Sequence, residues 1–157
     1  MLTDTRITAQ NKITKHKSRR RMARELVLQG IYQWRLAGGT VGFIEAQLRE
    51  TKEFSRTDEK YFSILFNGVL SDVSGLEEAI QPFLDRPFKE LSPVEFAILL
   101  LSTYELIHFL DVPYRAIINE AIELARTYGG SDGYKYVNGV LDKLAVKLRT
   151  VEISVQT

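Results

Sequence analysis

Residues 92–110, SPVEFAILLLSTYELIHFL, decide the fold. Ser92 stands where an N-cap hydroxyl is wanted, Pro93 at the first helical position, and Glu95 three residues after the serine, the pattern of a capping box. Phe96, Ile98, Leu99, Leu100, Leu101 and Leu106 follow, apolar on most sides of the helix. A helix wet on no face belongs at the centre of a fold. Glu95, Glu105 and His108 interrupt the run, so it reads as a core helix and not as a membrane span.

Outward from this helix the same period recurs. Towards the N-terminus, Ala23, Leu26, Val27, Gly30, Ile31 and Trp34 form one apolar stripe that starts at Ser18 and ends at Gly38-Gly39. A short helix is predicted over residues 41–50, with Ile44 and Leu48 inward, and a third after Thr57 with Phe62, Leu65, Phe66, Val69 and Val73 inward. Ser74-Gly75-Leu76-Glu77 has capping-box form and predicts a fourth helix burying Leu76, Ile80, Phe83 and Leu84. Towards the C-terminus, Asp111-Val112-Pro113 breaks the central helix and starts another, which runs to Gly129-Gly130. Ser131 or Asp132 caps a last helix burying Val137, Val140, Leu141, Leu144 and Leu148. No run alternates with period two for long enough to make a sheet. The expected fold is an all-α compact bundle of six to seven helices. A flexible basic arm is expected at 1–17, one domain at 18–149 and a C-terminal tail at 150–157.

Composition narrows the function. The chain has 157 residues, a single-domain length, and 45% of them are hydrophobic, an ordinary globular share. It has no cysteine, which excludes disulfides, thiolate nucleophiles and cysteine zinc sites. The N-terminal residues lack the apolar run of a signal peptide, which points to a cytoplasmic protein away from membranes. There is no glycine-rich phosphate loop. His16 and His108 lie far apart in sequence, and His108 reads as a core-edge residue because metal sites gather several ligands. The expectation is a non-enzyme with no cofactor and no metal.

Charge is unevenly placed. Residues 1–35 hold nine basic residues against two acidic, and the remainder twelve against eighteen. With Ala23 at zero on a helical wheel, Arg20 falls at about 60°, Arg24 at about 100°, Lys17 at about 120° and Arg21 at about 160°. Four cations thus line one flank of the first helix, Arg35 extends it, and Arg19 points elsewhere. Such a row can follow a phosphate backbone. Its only acidic neighbour at helical spacing is Glu25, four residues after Arg21. On charge alone, a phosphate track and a solvated face are equally good readings. Asp132, Tyr134, Lys135 and Tyr136 make a second cluster, where a ring can stack a base and lysine can take a phosphate; packing of either ring in the core is the alternative.

The residues also resemble a known family. RRMARE at 20–25 and QGIYQW at 29–34 look like the opening of NusB transcription antitermination proteins. PVE at 93–95, YEL at 104–106, VPY at 112–114, INEAIELA at 118–125 and VNGVLDK at 137–143 match the pattern in order, so that the similarity spans roughly 18–149. The resemblance implies two packed helical halves. It implies binding of single-stranded boxA RNA in ribosomal RNA leaders, together with NusE, a small-subunit ribosomal protein, inside an RNA polymerase antitermination complex. A homodimer that hides the basic flank is a further state it allows.

By position, the resemblance places Arg20, Arg21 and Arg24 on an arginine-rich RNA-binding motif. It places Asp132, Lys135 and Tyr136 on a second RNA patch, and Tyr32 and Glu95 on the contact with the ribosomal protein. Met22 stands where the motif can carry arginine. Lys12, Lys15 and Lys17 precede the motif and add non-specific affinity. A similar helical domain precedes some RNA cytosine methyltransferases, a role this chain could fill only as a detached RNA-binding part. Asn119 and Asn138 are expected to bond neighbouring helix backbones. Gly139 is expected to allow a close helix contact. Glu120, Glu123 and Asp142 are either solvated or paired with Arg126 and Lys143.

Overall fold

The computed structural model describes residues 17–156. Among them are eight α-helices: α1 Arg19–Ala37, α2 Val41–Arg49, α3 Glu59–Ser71, α4 Val73–Ile80, α5 Pro93–His108, α6 Tyr114–Tyr128, α7 Gly133–Leu148 and α8 Thr150–Gln156. Short 3₁₀ turns at Lys52–Arg56, Gln81–Phe83 and Phe88–Glu90 connect them, and no strand occurs among the described residues. The arm expected at 1–17 lies outside the described residues, apart from Lys17.

Helix α5 is the hub. It packs against α1, α3 and α4 on one side and against α6 and α7 on the other, so two helical halves meet on it. Its capping box forms in full: Ser92 Oγ accepts the Glu95 amide at 3.1 Å, and Glu95 Oε2 accepts the Ser92 amide at 3.2 Å. Phe96, Ile98, Leu99, Leu100, Leu101 and Leu106 are all buried. Each such side chain contributes about 1.5–3 kcal/mol on burial. Gly30 and Gly68 allow the close approaches on the α1–α3 side. A Cβ at Gly30 would meet the Phe66 ring at 2.9 Å, and one at Gly68 would overlap the hydroxyl end of Tyr104.

Local chemistry sets several helix starts and stops, but α6 starts after Pro113 and α7 after Asp132 without a side-chain cap bond. Ser18, Thr40 and Asp58 cap α1, α2 and α3 through their side chains. Gly38 and Gly39 end α1 at φ 72° and 105°, where a Cβ would be strained. The expected box at Ser74 does not start α4. That helix begins at Val73 after Asp72, whose carboxylate folds over Gly75 into the space of a side chain. Phe83 and Leu84 fall beyond α4 and are half-buried.

The C-terminal segment is a helix and not the tail expected from Thr150 onward. Arg149, 4% exposed, is the reason. Its guanidinium donates to the carbonyls of Leu106 at 2.8 Å, Phe109 at 3.0 Å, Val112 at 3.0 Å and Glu105 at 3.3 Å. The Glu105 and Phe109 carbonyls also accept the Phe109 and Val112 amides, so Arg149 is a second donor to these two, and it supplies the Leu106 carbonyl at the end of α5 and the Val112 carbonyl beyond it. Glu152 pairs with Arg149 at 2.6 Å and accepts the Tyr114 amide at 3.0 Å, which ties the first turn of α8 to the start of α6.

Candidate nucleic-acid interface

Lys17, just before α1, and Arg20 and Arg21 in its first turn each have an acidic partner, within α1 for Lys17 and from other segments for the two arginines. Lys17 Nζ lies 2.8 Å from Glu25 Oε1. Arg21 makes a two-point pair with Glu120 of α6, at 2.8 Å for both bonds. The Arg21–Glu25 pair expected from spacing is thus replaced by two others. A small cleft of about 60 Å³ lies between α1 and α6 among these groups, with Leu124 and Thr127 as its floor. Arg20 lies over the Tyr61 ring at 4.7 Å and faces Asp58 at 4.0 Å. Arg19 turns away, as expected, and donates to the Thr57 carbonyl at 2.9 Å. Arg35 covers Phe96 at 4.3 Å.

Arg24 is not part of this surface. It is 5% exposed, and Glu105 of α5 is 0% exposed. Arg24 Nε meets Glu105 Oε1 at 2.7 Å, Nη2 meets Oε2 at 3.0 Å, and Nη2 also reaches Tyr61 Oη at 3.0 Å. At about 100° from Ala23 the side chain sits on the edge of the apolar stripe, and the helix opposite offers a buried carboxylate. Burial pushes the Glu105 carboxyl up while Arg24 pulls it back, and burial works against the Arg24 charge while Glu105 restores it. Two short bonds from a guanidinium that stays protonated decide for an ionised pair at neutral pH. Burial, reinforced by Glu105, also pushes the Tyr61 phenol up, so its hydroxyl keeps its proton. The sequence did hold a signal for this pair: Glu105 is a carboxylate in the most apolar helix, and a buried charge needs a partner.

The second cluster sits at the start of α7. Asp132 and Lys135 are exposed and 3.5 Å apart. Tyr134 is covered by Arg126 at 4.8 Å. Tyr136 is half-buried, with its ring under the Arg86 guanidinium at 4.4 Å. Its hydroxyl is buried near Asp85 without a full hydrogen bond, and its pKa is raised by that burial and by the carboxylate. Arg86, in turn, pairs with Asp85 at 2.8 Å. Nothing in the sequence connects Arg86 to Tyr136, and the contact was missed for that reason.

Tyr32 and Glu95 flank one junction. Arg35, one turn beyond Tyr32 on α1, lies on Phe96 next to Glu95, and Tyr32 is 40% exposed. Glu95 is committed to the α5 cap and touches the start of α7, where a Cβ on Gly133 would meet its Oε1 at 2.9 Å. This junction is about 18 Å along α1 from Arg20, so the two expected surfaces are separate.

Two smaller expectations change, and the Glu123–Arg126 pair forms as one of the alternatives expected. Asn119 is exposed and Asn138 half-buried, and both line an open groove of about 400 Å³ between α6 and α7 in place of bonding a neighbouring backbone. Gly139 is exposed, and a Cβ there would meet nothing within 4 Å. Of the three carboxylates, Glu120 takes Arg21, Glu123 takes Arg126 at 3.3 Å, and Asp142 lies in the α6–α7 groove. Among the described residues, no helix is long and apolar enough to cross a membrane, and no group of three or more His, Asp or Glu is placed to hold a metal.

Comparison with known proteins accounts for this arrangement. The NusB family model matches residues 21–146. The transcription antitermination protein NusB of Nitrosospira multiformis is 67% identical over 130 residues, 83% of this chain and 82% of that protein. The NusB of Burkholderia mallei is 57% identical over 136 residues, 87% of this chain and 94% of that one. Among solved structures, T. maritima NusB superposes with a TM-score of 0.72 at 30% identity, over 82% of this chain and 91% of that one. NusB in a complex with NusE and double-stranded RNA superposes with a TM-score of 0.69 at 23% identity, over 81% of this chain and 96% of that one, a likeness of fold. With the family pattern running through every helix from α1 to α7, the chain belongs to the NusB family.

Proposed function

We propose that the protein is a transcription antitermination factor. It binds boxA RNA of ribosomal RNA leader transcripts together with NusE, as part of an RNA polymerase antitermination complex in the cytoplasm. The observation that carries this reading is the 67% identity over 83% of the chain to a transcription antitermination protein NusB. The solved complex of a NusB with NusE and RNA supports both partners.

In this reading Lys17, Arg20 and Arg21 meet RNA phosphates from the first turns of α1. Their intramolecular pairs are half-exposed, with side-chain exposures of 39%, 49% and 38%. Exposed pairs are worth about 0.2–1 kcal/mol, so exchanging a carboxylate for a phosphate costs little. Until then the pairs hold the long side chains in extended, pre-ordered positions. Arg24 acts from inside: it holds Tyr61, on which Arg20 lies. Lys135 and Asp132 at the start of α7 form the second contact, with Tyr136 beneath Arg86. Tyr32 and Glu95 face NusE at the other end of α1, and each partner raises the affinity for the other by linkage.

The test is fluorescence anisotropy of a labelled boxA RNA against a scrambled RNA, with and without NusE, over a range of salt. Lys17, Arg20, Arg21 and Lys135 together predict a log–log salt slope of about −2.8. Preference for boxA that increases with NusE supports the reading. Equal binding of both RNAs, or a slope near zero, refutes it.

A further inference from the structure

Helices α6 and α7, joined through residues 129–132, leave between them an open groove of about 400 Å³. Ile118, buried, and Ile122, half-buried, are its apolar part. Its polar groups are two carboxamides, Asn119 and Asn138, and two opposite charges, Arg115 and Asp142. Arg115 and Asn119 stand one turn apart on α6, and Asn138 and Asp142 one turn apart on α7. Arg115 Nε donates to the Tyr114 hydroxyl at 3.1 Å. Among the described residues, the side chains of Asn119, Asn138 and Asp142 have no hydrogen-bond or ion-pair partner. The cations at the start of α1, by contrast, are all paired.

The helices themselves give no reason for the two asparagines. Asparagine is a poorer helix former than alanine or glutamate, because its side chain competes for backbone groups. Here neither amide caps a helix or bonds a neighbour. The chemistry of the groove separates three kinds of occupant. A third helix has already satisfied its own backbone groups and would leave both carboxamides unbonded. A nucleic-acid strand needs net positive charge, and Arg115 and Asp142 cancel. An extended peptide presents free backbone N–H and C=O groups along its edges. A carboxamide carries the same donor and acceptor as a peptide group, so the two can pair at two points. From Arg115 to Ile122 the groove follows α6 for about 10 Å, the length of about three extended residues.

We propose that the α6–α7 groove binds an extended segment of a partner protein. Asn119 and Asn138 pair with its backbone amides from the two walls, and one aliphatic side chain rests on Ile118 and Ile122. The segment carries little net charge, because the groove carries none. This goes beyond the RNA and NusE reading: it adds a protein contact that uses neither the cations of α1 nor the junction of Tyr32 with Glu95. Glu120, next to Asn119 in sequence, turns to Arg21 of α1, and successive helical residues lie about 100° apart. The groove therefore opens on a different side of α6 from the phosphate track.

The probe is a phage-displayed library of random heptapeptides, selected on the full chain and counter-selected on Asn119→Ala/Asn138→Ala. Alanine is the better helix former at both positions, so the variant should melt no lower than the parent. Asn119→Ala, at an exposed position, repeats the counter-selection with a single change. Surviving peptides are synthesised and titrated into isotope-labelled protein, followed by nuclear magnetic resonance. They are expected to shift the side-chain amide signals of Asn119 and Asn138 and to leave that of Asn67, which is held by the Ser63 carbonyl at 2.8 Å. Their affinity should fall about tenfold in the double variant and about threefold in the single one, as for two and one net hydrogen bonds. Affinity for boxA RNA should be equal in parent and variants. The proposal is overturned if no peptide survives counter-selection, or if the survivors leave the two amide signals unmoved. It is also overturned if boxA RNA moves those signals, because the groove then belongs to the RNA surface. The selection contains no RNA, so its failure leaves the antitermination reading intact.

Discussion

Replacing Arg24 by methionine tests the largest departure from the sequence reading. The change keeps the length and apolar stem of the side chain and removes the charge. Glu105, 0% exposed, then keeps Tyr61 as its polar neighbour but loses both guanidinium bonds, of 2.7 and 3.0 Å. Removing one partner of a buried ion pair costs about 3–5 kcal/mol. That is a large part of the about 5–15 kcal/mol typical of a whole domain. At about 2–4 °C per kcal/mol for a chain of this size, the melting temperature should fall by about 6–20 °C. Glu105→Leu alone should cost a similar amount by stranding the guanidinium. The double variant Arg24→Met/Glu105→Leu should be markedly less damaged than the two singles added together, because no charge is then left alone in the core. Urea and thermal unfolding followed by far-ultraviolet circular dichroism at pH 7 measure all three. The reasoning is refuted if Arg24→Met unfolds within about 1 kcal/mol of the parent and loses RNA binding more than tenfold. Arg24 would then be a surface ligand, as its place in the motif suggests.

Three other outcomes are expected. Arg149→Met removes the guanidinium donors to the Leu106 and Val112 carbonyls and the second donors to those of Glu105 and Phe109 and should lower stability by more than about 2 kcal/mol in urea titrations; Arg149→Lys, with a single point of attachment, should rescue only part. Burial raises the Glu152 carboxyl, but the Tyr114 amide and Arg149 outweigh it and hold its pKa below the ordinary 4.5. A depressed acid contributes its stability above the unfolded value and loses it as pH falls through the folded one, so destabilisation below about pH 4.5 should shrink in Glu152→Gln, read from melting temperatures across pH 3–7. Glu120→Gln frees Arg21 from its two-point pair and removes a negative charge beside the RNA track. Affinity for boxA should rise about two- to fivefold by anisotropy, matching the about 0.5–1 kcal/mol of an exposed pair, and an unchanged affinity would place Arg21 outside the interface.

Helix α5 shows why most of the fold was legible. Its start is written in Ser92, Pro93 and Glu95, groups that satisfy one another within four residues, and its burial in a run with no polar face. The same short-range chemistry placed α1, α2, α3, α6 and α7. It failed at α4, where Ser74-Gly75-Leu76-Glu77 has the right residue types but Asp72 occupies the space over Gly75. It failed again beyond Leu148, because the anchor of α8 is a hydrogen-bond set between Arg149 and residues about forty positions earlier. The candidate site was legible as a list of cations, not as their employment. Lys17 and Arg21 differ in partner by 8 and 99 positions of sequence separation, and no periodicity in α1 reveals which carboxylate lies opposite.

By itself, the sequence determined the all-α class, most of the helix spans, the central place of α5 and the family. These rest on hydrogen bonds and apolar spacing within a few residues, which any chain of that pattern must satisfy locally. Only the tertiary structure decided that Arg24 is a core ion and Arg20 a surface one, that Arg149 closes α5, and that Arg86 lies on Tyr136. Each depends on which helix packs opposite, and a charge placed at the edge of an apolar stripe turns inward only where the facing helix supplies its counterion.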